Sequence, residues 1–209
     1  MGSEMCIRDR IYAHRFDVAN DEASGIIGGN EPGAPTYWAR SIDIAKAWEL
    51  ELEKAATPHT RKVALRTAMV MSPDKDGVFD VLCGLTRKWL GGKIRSGKQF
   101  VSWIHELDFV QAIRFLIGSD SIDGAVNLAS PNPLPQADFQ AVLRKSLGVK
   151  IGLPATKWMA EVGAVFMKTD TELLLKSRRV VPGRLLDAGF KFEFSTWNEA
   201  AKDLVSRST

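Results

Sequence analysis

The sequence predicts an α/β fold in which a mainly parallel, helix-covered sheet leads into a helix-rich tail, and three observations carry that expectation. Lys62 to Met71 is largely apolar on both alternating faces: Val63, Leu65, Thr67, Met69 and Met71 point one way and Ala64, Arg66, Ala68 and Val70 the other. A strand with helices packed above and below reads in this way. Gln99 to Ile117 changes period partway: Phe100, Val101, Trp103 and Ile104 suit a buried strand end, then Phe109, Ile113, Leu116 and Ile117 recur at helical spacing. Glu106 and Asp108 place negative charge at the start of that helix, where backbone N–H groups lack partners and the dipole is positive. Finally, strands and helices alternate along the chain, the signature of βαβ crossovers.

Composition sets the bounds. The 209 residues are 45% hydrophobic and 25% charged, ordinary for a globular chain able to bury a sizeable core. With 28 Lys and Arg against 25 Asp and Glu the net charge is +3, too small an excess to argue for nucleic acid. Two cysteines, Cys6 and Cys83, form no disulfide framework, and no His or Cys spacing suits a metal. A reducing cytoplasm is therefore expected. No apolar run approaches the roughly 20 residues a membrane-spanning helix needs, and no signal peptide opens the chain, so neither a membrane nor a nucleic-acid partner is expected.

In chain order, residues 1–10 have no period and no cap. Met5 to Arg10 looks like a translated sequencing adapter, so these ten residues are read as an artefactual or disordered leader. Ile11 to Pro35 is loop-like, with Gly25, Gly28, Gly29, Pro32, Gly33 and Pro35 at close intervals. Ser41 can cap a helix over 42–56 whose apolar stripe is Ile44, Trp48, Leu52 and Ala55. The strand over 62–71 follows, its Arg66 requiring a partner. After a turn at 74–77, a helix over 78–90 leads into a basic Gly-rich loop with Lys93, Arg95 and Lys98, directly before the strand-to-helix corner. Corners of this kind are where open α/β folds hold ligands. Trp103 and His105 on it also fit the alternative of core packing and a hydrogen-bonded structural histidine.

Beyond the corner, 124–129 is a short strand and 130–135, with three prolines, a rigid connection. Helices are expected over 138–147, 157–167, 171–178 and 182–188, then a strand over 190–194, then a last helix opened by Thr196 and Glu199 as a capping box. A doubly wound sheet normally has about five to seven strands. Only about three candidates precede the tail, so the sheet is expected to lack its first half.

Several segments in register resemble a known family. Ile11-Tyr12, Ser41 to Glu49, Val63 to Arg66, Trp-Ile-His-x-x-Asp over 103–108, Val126 to Pro133 and Ser177 to Phe190 occur in the order found in epimerase-family proteins of the extended short-chain dehydrogenase/reductase superfamily. The nearest branch ends in a small C-terminal domain of unknown function, marked by Pro-x-Arg-Leu-Leu-x-x-Gly-Phe, here 182–190. The resemblance implies the C-terminal part of a Rossmann-type parallel sheet over 11–129, followed by a smaller, mostly helical substrate-side domain over 130–209. It also implies NAD or NADP as cofactor and a small-molecule substrate such as a nucleotide sugar.

Relatives hold the cofactor pyrophosphate on a Gly-rich turn after a first strand. No such turn occurs here, which leads to the expectation of an N-terminally truncated fragment, inactive and poor at binding the dinucleotide by itself. Family chemistry uses a Tyr-x-x-x-Lys pair with a Ser or Thr, the Lys binding the nicotinamide ribose and lowering the Tyr pKa. Lys46 matches the Lys, but Ile42 stands at the Tyr position. The resemblance thus implies Lys46 and Tyr12 as catalytic candidates, Lys46 and Arg66 at the cofactor, and Trp103, His105 and Lys98 at the substrate. Lys93 and Arg95 could join Lys98 on a diphosphate or form a solvated loop. Lys176, Arg178, Arg179 and Arg184 could hold a phosphate or stabilise a helix end. A non-catalytic cofactor-binding or regulatory protein of the same fold is the competing expectation.

Overall fold

In the computed structural model, which describes residues 11–29, 31, 36–154 and 177–208, the chain is mixed α/β and its strands pair mainly in parallel. The first helix, α1, runs from Thr36 to Lys54 and precedes β1, Val63–Thr67. β1 pairs in parallel with β5, Gly124–Leu128, from Val63 opposite Gly124 to Thr67 opposite Leu128. The Ala68 N–H still reaches the Leu128 carbonyl. The strand then changes neighbours: β2, Met69–Met71, pairs in parallel with β4, Trp103–His105. The expected strand over 62–71 is therefore split at Ala68 between two partners. β3, Phe100–Val101, pairs antiparallel with β6, Leu134–Pro135. Among the described residues β5 is the only strand paired with β1.

The other helices are α2, Val78–Arg87, α3, Glu106–Ile117, α4, Gln136–Ser146, α5, Gly183–Asp187, and α6, Trp197–Arg207. Each stops where its sequence allows. Gly148 and Gly189, in left-handed conformation, end α4 and α5. Thr196 accepts the Glu199 N–H and donates its hydroxyl to the Glu199 carboxylate, opening α6. Residues 1–10 and the helix expected over 157–167 lie outside the described residues. Of the helix expected over 171–178, only Ser177 and Arg178 are described, and neither is helical.

One hydrophobic cluster joins Met69, Phe79 and Trp103 to Phe139, Leu143, Trp197 and Leu204. Packing is thus continuous across the boundary expected at 129/130. A second cluster packs Ile104, Leu116, Val126 and Leu128 around Leu185 and Phe190.

Two expectations are corrected. The buried face of α1 is Ile42, Ala45 and Glu49, whereas Ile44 and Trp48 are 43% and 44% exposed. The physical cause is Arg66 on β1: a buried guanidinium must meet a carboxylate, and the helix turns Glu49, not its larger apolar side chains, toward the sheet. The segment 190–194 is no strand. The N–H groups of Glu193 and Phe194 donate to the buried Asp108 carboxylate at 2.8 and 3.0 Å, in place of a ladder.

Candidate functional site

Arg66 and Asn127 lie opposite each other on β1 and β5, and the Tyr12 hydroxyl sits between them. It donates to Asn127 Oδ1 at 2.9 Å and accepts from Arg66 Nη1 at 2.8 Å. Arg66 uses its remaining donors on Glu49, Nε to Oε1 at 2.9 Å and Nη2 to Oε2 at 2.8 Å. Burial opposes the Arg66 charge, but the hydrogen bonds and charges of Glu49 and Tyr12 hold its pKa above the usual value. The phenol goes the same way for the opposite reason: burial lifts its pKa, more than Arg66 and Asn127 lower it. Asn127 continues the network, giving its backbone N–H to Glu22 at 2.7 Å and its Nδ2 to the Val181 carbonyl at 2.9 Å.

This network fixes the helix that carries Lys46. One turn before Glu49, the exposed Lys46 extends its ammonium to the Gly28 carbonyl at 3.3 Å. The loop beneath is closely fitted. A Cβ on Gly28 would lie 2.6 Å from the Glu31 carboxylate and 3.0 Å from Ile42, so a side chain there would have to push them aside. Glu31 in turn takes the N–H groups of His14 and Gly29 at 2.9 and 2.7 Å. Ile42 is wholly buried with Ile11, Tyr12, Ala45 and Val180, as a packing residue.

The structure joins Arg66 directly to Tyr12, ties Arg66 through Glu49 to the helix that carries Lys46, and sets the other candidates elsewhere. Tyr12 is enclosed, with its proton donated to Asn127 and a lone pair taken by Arg66, so its hydroxyl holds β1 to β5 and faces no substrate space. Arg66 likewise spends its guanidinium on Glu49 and Tyr12 rather than on an open surface. Trp103, expected at substrate, is core: it is fully buried, its ring 5.0 Å from that of Trp197. His105 is also fully buried and caps α3, its Nδ1 accepting the Leu107 N–H at 3.1 Å. That bond puts the ring proton on Nε2, 3.0 Å from the Asp203 carboxylate. Lys98 is exposed on its loop, as are Lys93 and Arg95. Arg178 is nearly buried, Arg179 lies over the Phe100 ring, and Arg184 Nη1 donates to the Ala125 carbonyl at 3.1 Å; Lys176 lies outside the described residues. Sequence reasoning missed Glu49, Asn127 and Glu22. The available signal was Arg66, a cation on an otherwise apolar strand.

Parallel strand pairs, crossover helices and a lysine-bearing helix ahead of β1 define a Rossmann-type class, and comparison with known proteins narrows it. Residues 156–204 match the family model described as "Domain of unknown function (DUF1731)", and the Pro182 to Phe190 signature lies within that match. The chain is 30% identical over 166 residues to an epimerase family protein of Staphylococcus aureus, covering 79% of this chain and 54% of that one. It is 33% identical over 155 residues to an epimerase family protein of Mycobacterium bovis, covering 73% and 50%. Among solved structures, human epimerase family protein SDR39U1 (isoform 2) with NADPH superposes with a TM-score of 0.75 at 25% identity, covering 94% of this chain and 62% of that one. A nucleoside-diphosphate sugar epimerase from Corynebacterium glutamicum shares the fold, with TM-score 0.63 and 24% identity over 95% of this chain and 36% of that one. The chain belongs to the epimerase family of the extended short-chain dehydrogenases/reductases, with the DUF1731 domain in its C-terminal part. It spans about half the length of the curated relatives it matches.

Proposed function

We propose that this chain supplies the ribose side of a nicotinamide-dinucleotide site, and that the full-length protein is an NAD(P)-dependent oxidoreductase or nucleotide-sugar epimerase or dehydratase. The observation that carries the reading is the placement of Lys46: its ammonium is exposed above the Gly28–Gly29 bend, on a helix anchored by the Glu49–Arg66 pair. The human relative was solved with NADPH, which supports the same cofactor class here. When bound, the cofactor supplies hydride transfer. Lys46 offers three N–H donors, a fit for ribose hydroxyls, and it gives up only one long contact, to Gly28, to make them. Arg66 acts by positioning Lys46 through Glu49. Lys98 is the cation we place at the substrate, where a nucleotide sugar would present its diphosphate. With no Gly-rich pyrophosphate turn among the 209 residues, they bind the dinucleotide weakly by themselves.

A second reading is favoured by Ile42. A buried aliphatic residue four positions before Lys46 transfers no proton, so a cofactor-binding protein without turnover fits the same geometry. Incubating the full-length protein with NADPH or NAD and UDP- or dTDP-hexoses, and following both cofactor absorbance and sugar products, separates the two. Product formation supports the enzyme; cofactor binding with no product across these sugars supports the second reading.

A further inference from the structure

The turn after α2 and the loop after α4 lock together into one surface whose composition differs from the rest of the molecule. The Leu153 N–H donates to the Trp89 carbonyl at 2.7 Å, Arg144 donates to the Gly91 carbonyl, and a Cβ on Gly92 would meet the Leu153 carbonyl at 2.1 Å. Between residues 81 and 105, and again between 139 and 154, there is no Asp or Glu. Arg87, Lys88, Lys93, Arg95, Lys145 and Lys150 are all exposed there, besides the Lys98 already placed at the substrate. Among them stand three large apolar side chains that solvent reaches freely: Trp89 at 59%, Ile151 at 58% and Leu153 at 50% exposure.

The backbone adds an independent observation. Trp89 and Arg95 hold φ of 64° and 52°, the left-handed region that side chains other than glycine, and to a lesser degree Asn and Asp, adopt at a cost. A chain that keeps a tryptophan and an arginine at two such positions on one surface gives up stability to present them.

We propose that this surface docks on an anionic lipid bilayer, with Trp89, Ile151 and Leu153 entering the headgroup boundary and the surrounding cations meeting lipid phosphates and carboxylates. Apolar side chains of this size gain nothing from a nucleic-acid backbone but are stabilised by leaving water for an acyl boundary. Four of the six cations are lysines, compact charges suited to diffuse attraction by a negative surface, whereas bidentate recognition of single groups favours arginine. Tryptophan, with an apolar body and one N–H, suits the interface itself. The mode is peripheral: among the described residues no helix is long and apolar enough to cross a membrane.

The test is cosedimentation of the chain with phosphatidylcholine vesicles made with and without phosphatidylserine. Trp89→Gly restores the residue the backbone prefers, so that variant keeps the fold. The expected result is binding to the anionic vesicles alone, weakened at least about ten-fold by Trp89→Gly and by the Lys88→Glu/Lys150→Glu pair. Trp89→Gly should also unfold at the same temperature as the wild type or higher. Equal binding to neutral vesicles, unchanged binding by Trp89→Gly, a lower unfolding temperature for that variant, or retention on polyglutamate or transfer RNA with no vesicle binding would each overturn the proposal.

Discussion

Arg66 and Glu49 meet through two parallel N–H to O contacts, 2.9 and 2.8 Å long, across the gap between β1 and α1, with side chains only 11% and 21% exposed. Such a pair sets which face of the helix turns inward, although its net contribution to stability is small because desolvation offsets much of the attraction. Removing one partner is another matter. Glu49→Ala leaves a half-buried guanidinium beside the phenol and should cost about 3 kcal/mol in urea unfolding, while the double change Arg66→Met/Glu49→Leu should recover most of that loss. Equal losses for the single and double variants would mean that the pair does not orient α1.

Asp108 performs the work expected of a strand partner for the segment after α5. Asp108→Ala removes the charged acceptor of the part-buried Glu193 and Phe194 N–H bonds, and hydrogen bonds to a charged group contribute about 1.5–3 kcal/mol. The expected outcome is a loss of about 2–4 kcal/mol, with amide exchange accelerated first at these two residues.

The His105 corner responds to acid. Burial lowers the His105 pKa, more than Asp203 raises it, so the folded state binds the second ring proton less readily than the unfolded chain, whose histidines titrate near about 6.5. Stability from this group is therefore full above that value and falls as pH drops below it, because a proton on Nδ1 displaces the Leu107 N–H from the cap. Arg207, 2.8 Å from Asp203 and 2.7 Å from Glu106, faces the same site and adds to the resistance. Thermal melts between about pH 8 and pH 5 should show a decline that His105→Asn, which keeps an acceptor but cannot titrate, flattens.

Cys83, on the inner face of α2, is fully buried, and desolvation pushes its thiol up to about 11. In a Cys6→Ser background, alkylation by iodoacetamide at neutral pH should proceed only at the rate of unfolding, since the thiolate is the reactive form. Prompt stoichiometric labelling of the folded chain would contradict this burial.

Much of the fold was legible because it rests on period. The two-faced apolar run over 62–71 and the change of period at the corner fixed β1, β2, β4 and α3, and turn glycines marked helix ends within two or three residues. What escaped depends on contacts that period does not encode. Ile44, Trp48 and Leu52 form an apolar line at helical spacing, yet a single charge on the neighbouring strand outweighed them. Phe190 to Phe194 has the composition of a strand, but a carboxylate 85 residues away in sequence from Glu193 took its amides. Around the candidate site, the sequence marked Arg66 as a cation needing a partner and the resemblance pointed to Lys46, whereas neither settled that Trp103 packs in the core or that His105 caps α3, uses a strand-to-helix corner has as readily as ligand binding.

The most direct test of the cofactor reading is NADPH titration of the full-length protein by tryptophan fluorescence, beside Lys46→Ala. A charge-assisted hydrogen bond to the ribose contributes about 1.5–3 kcal/mol, so saturable binding should weaken about ten-fold or more in the variant, with its unfolding temperature unchanged because Lys46 is exposed. Equal affinity in both proteins, or no NADPH binding by either, would contradict the account.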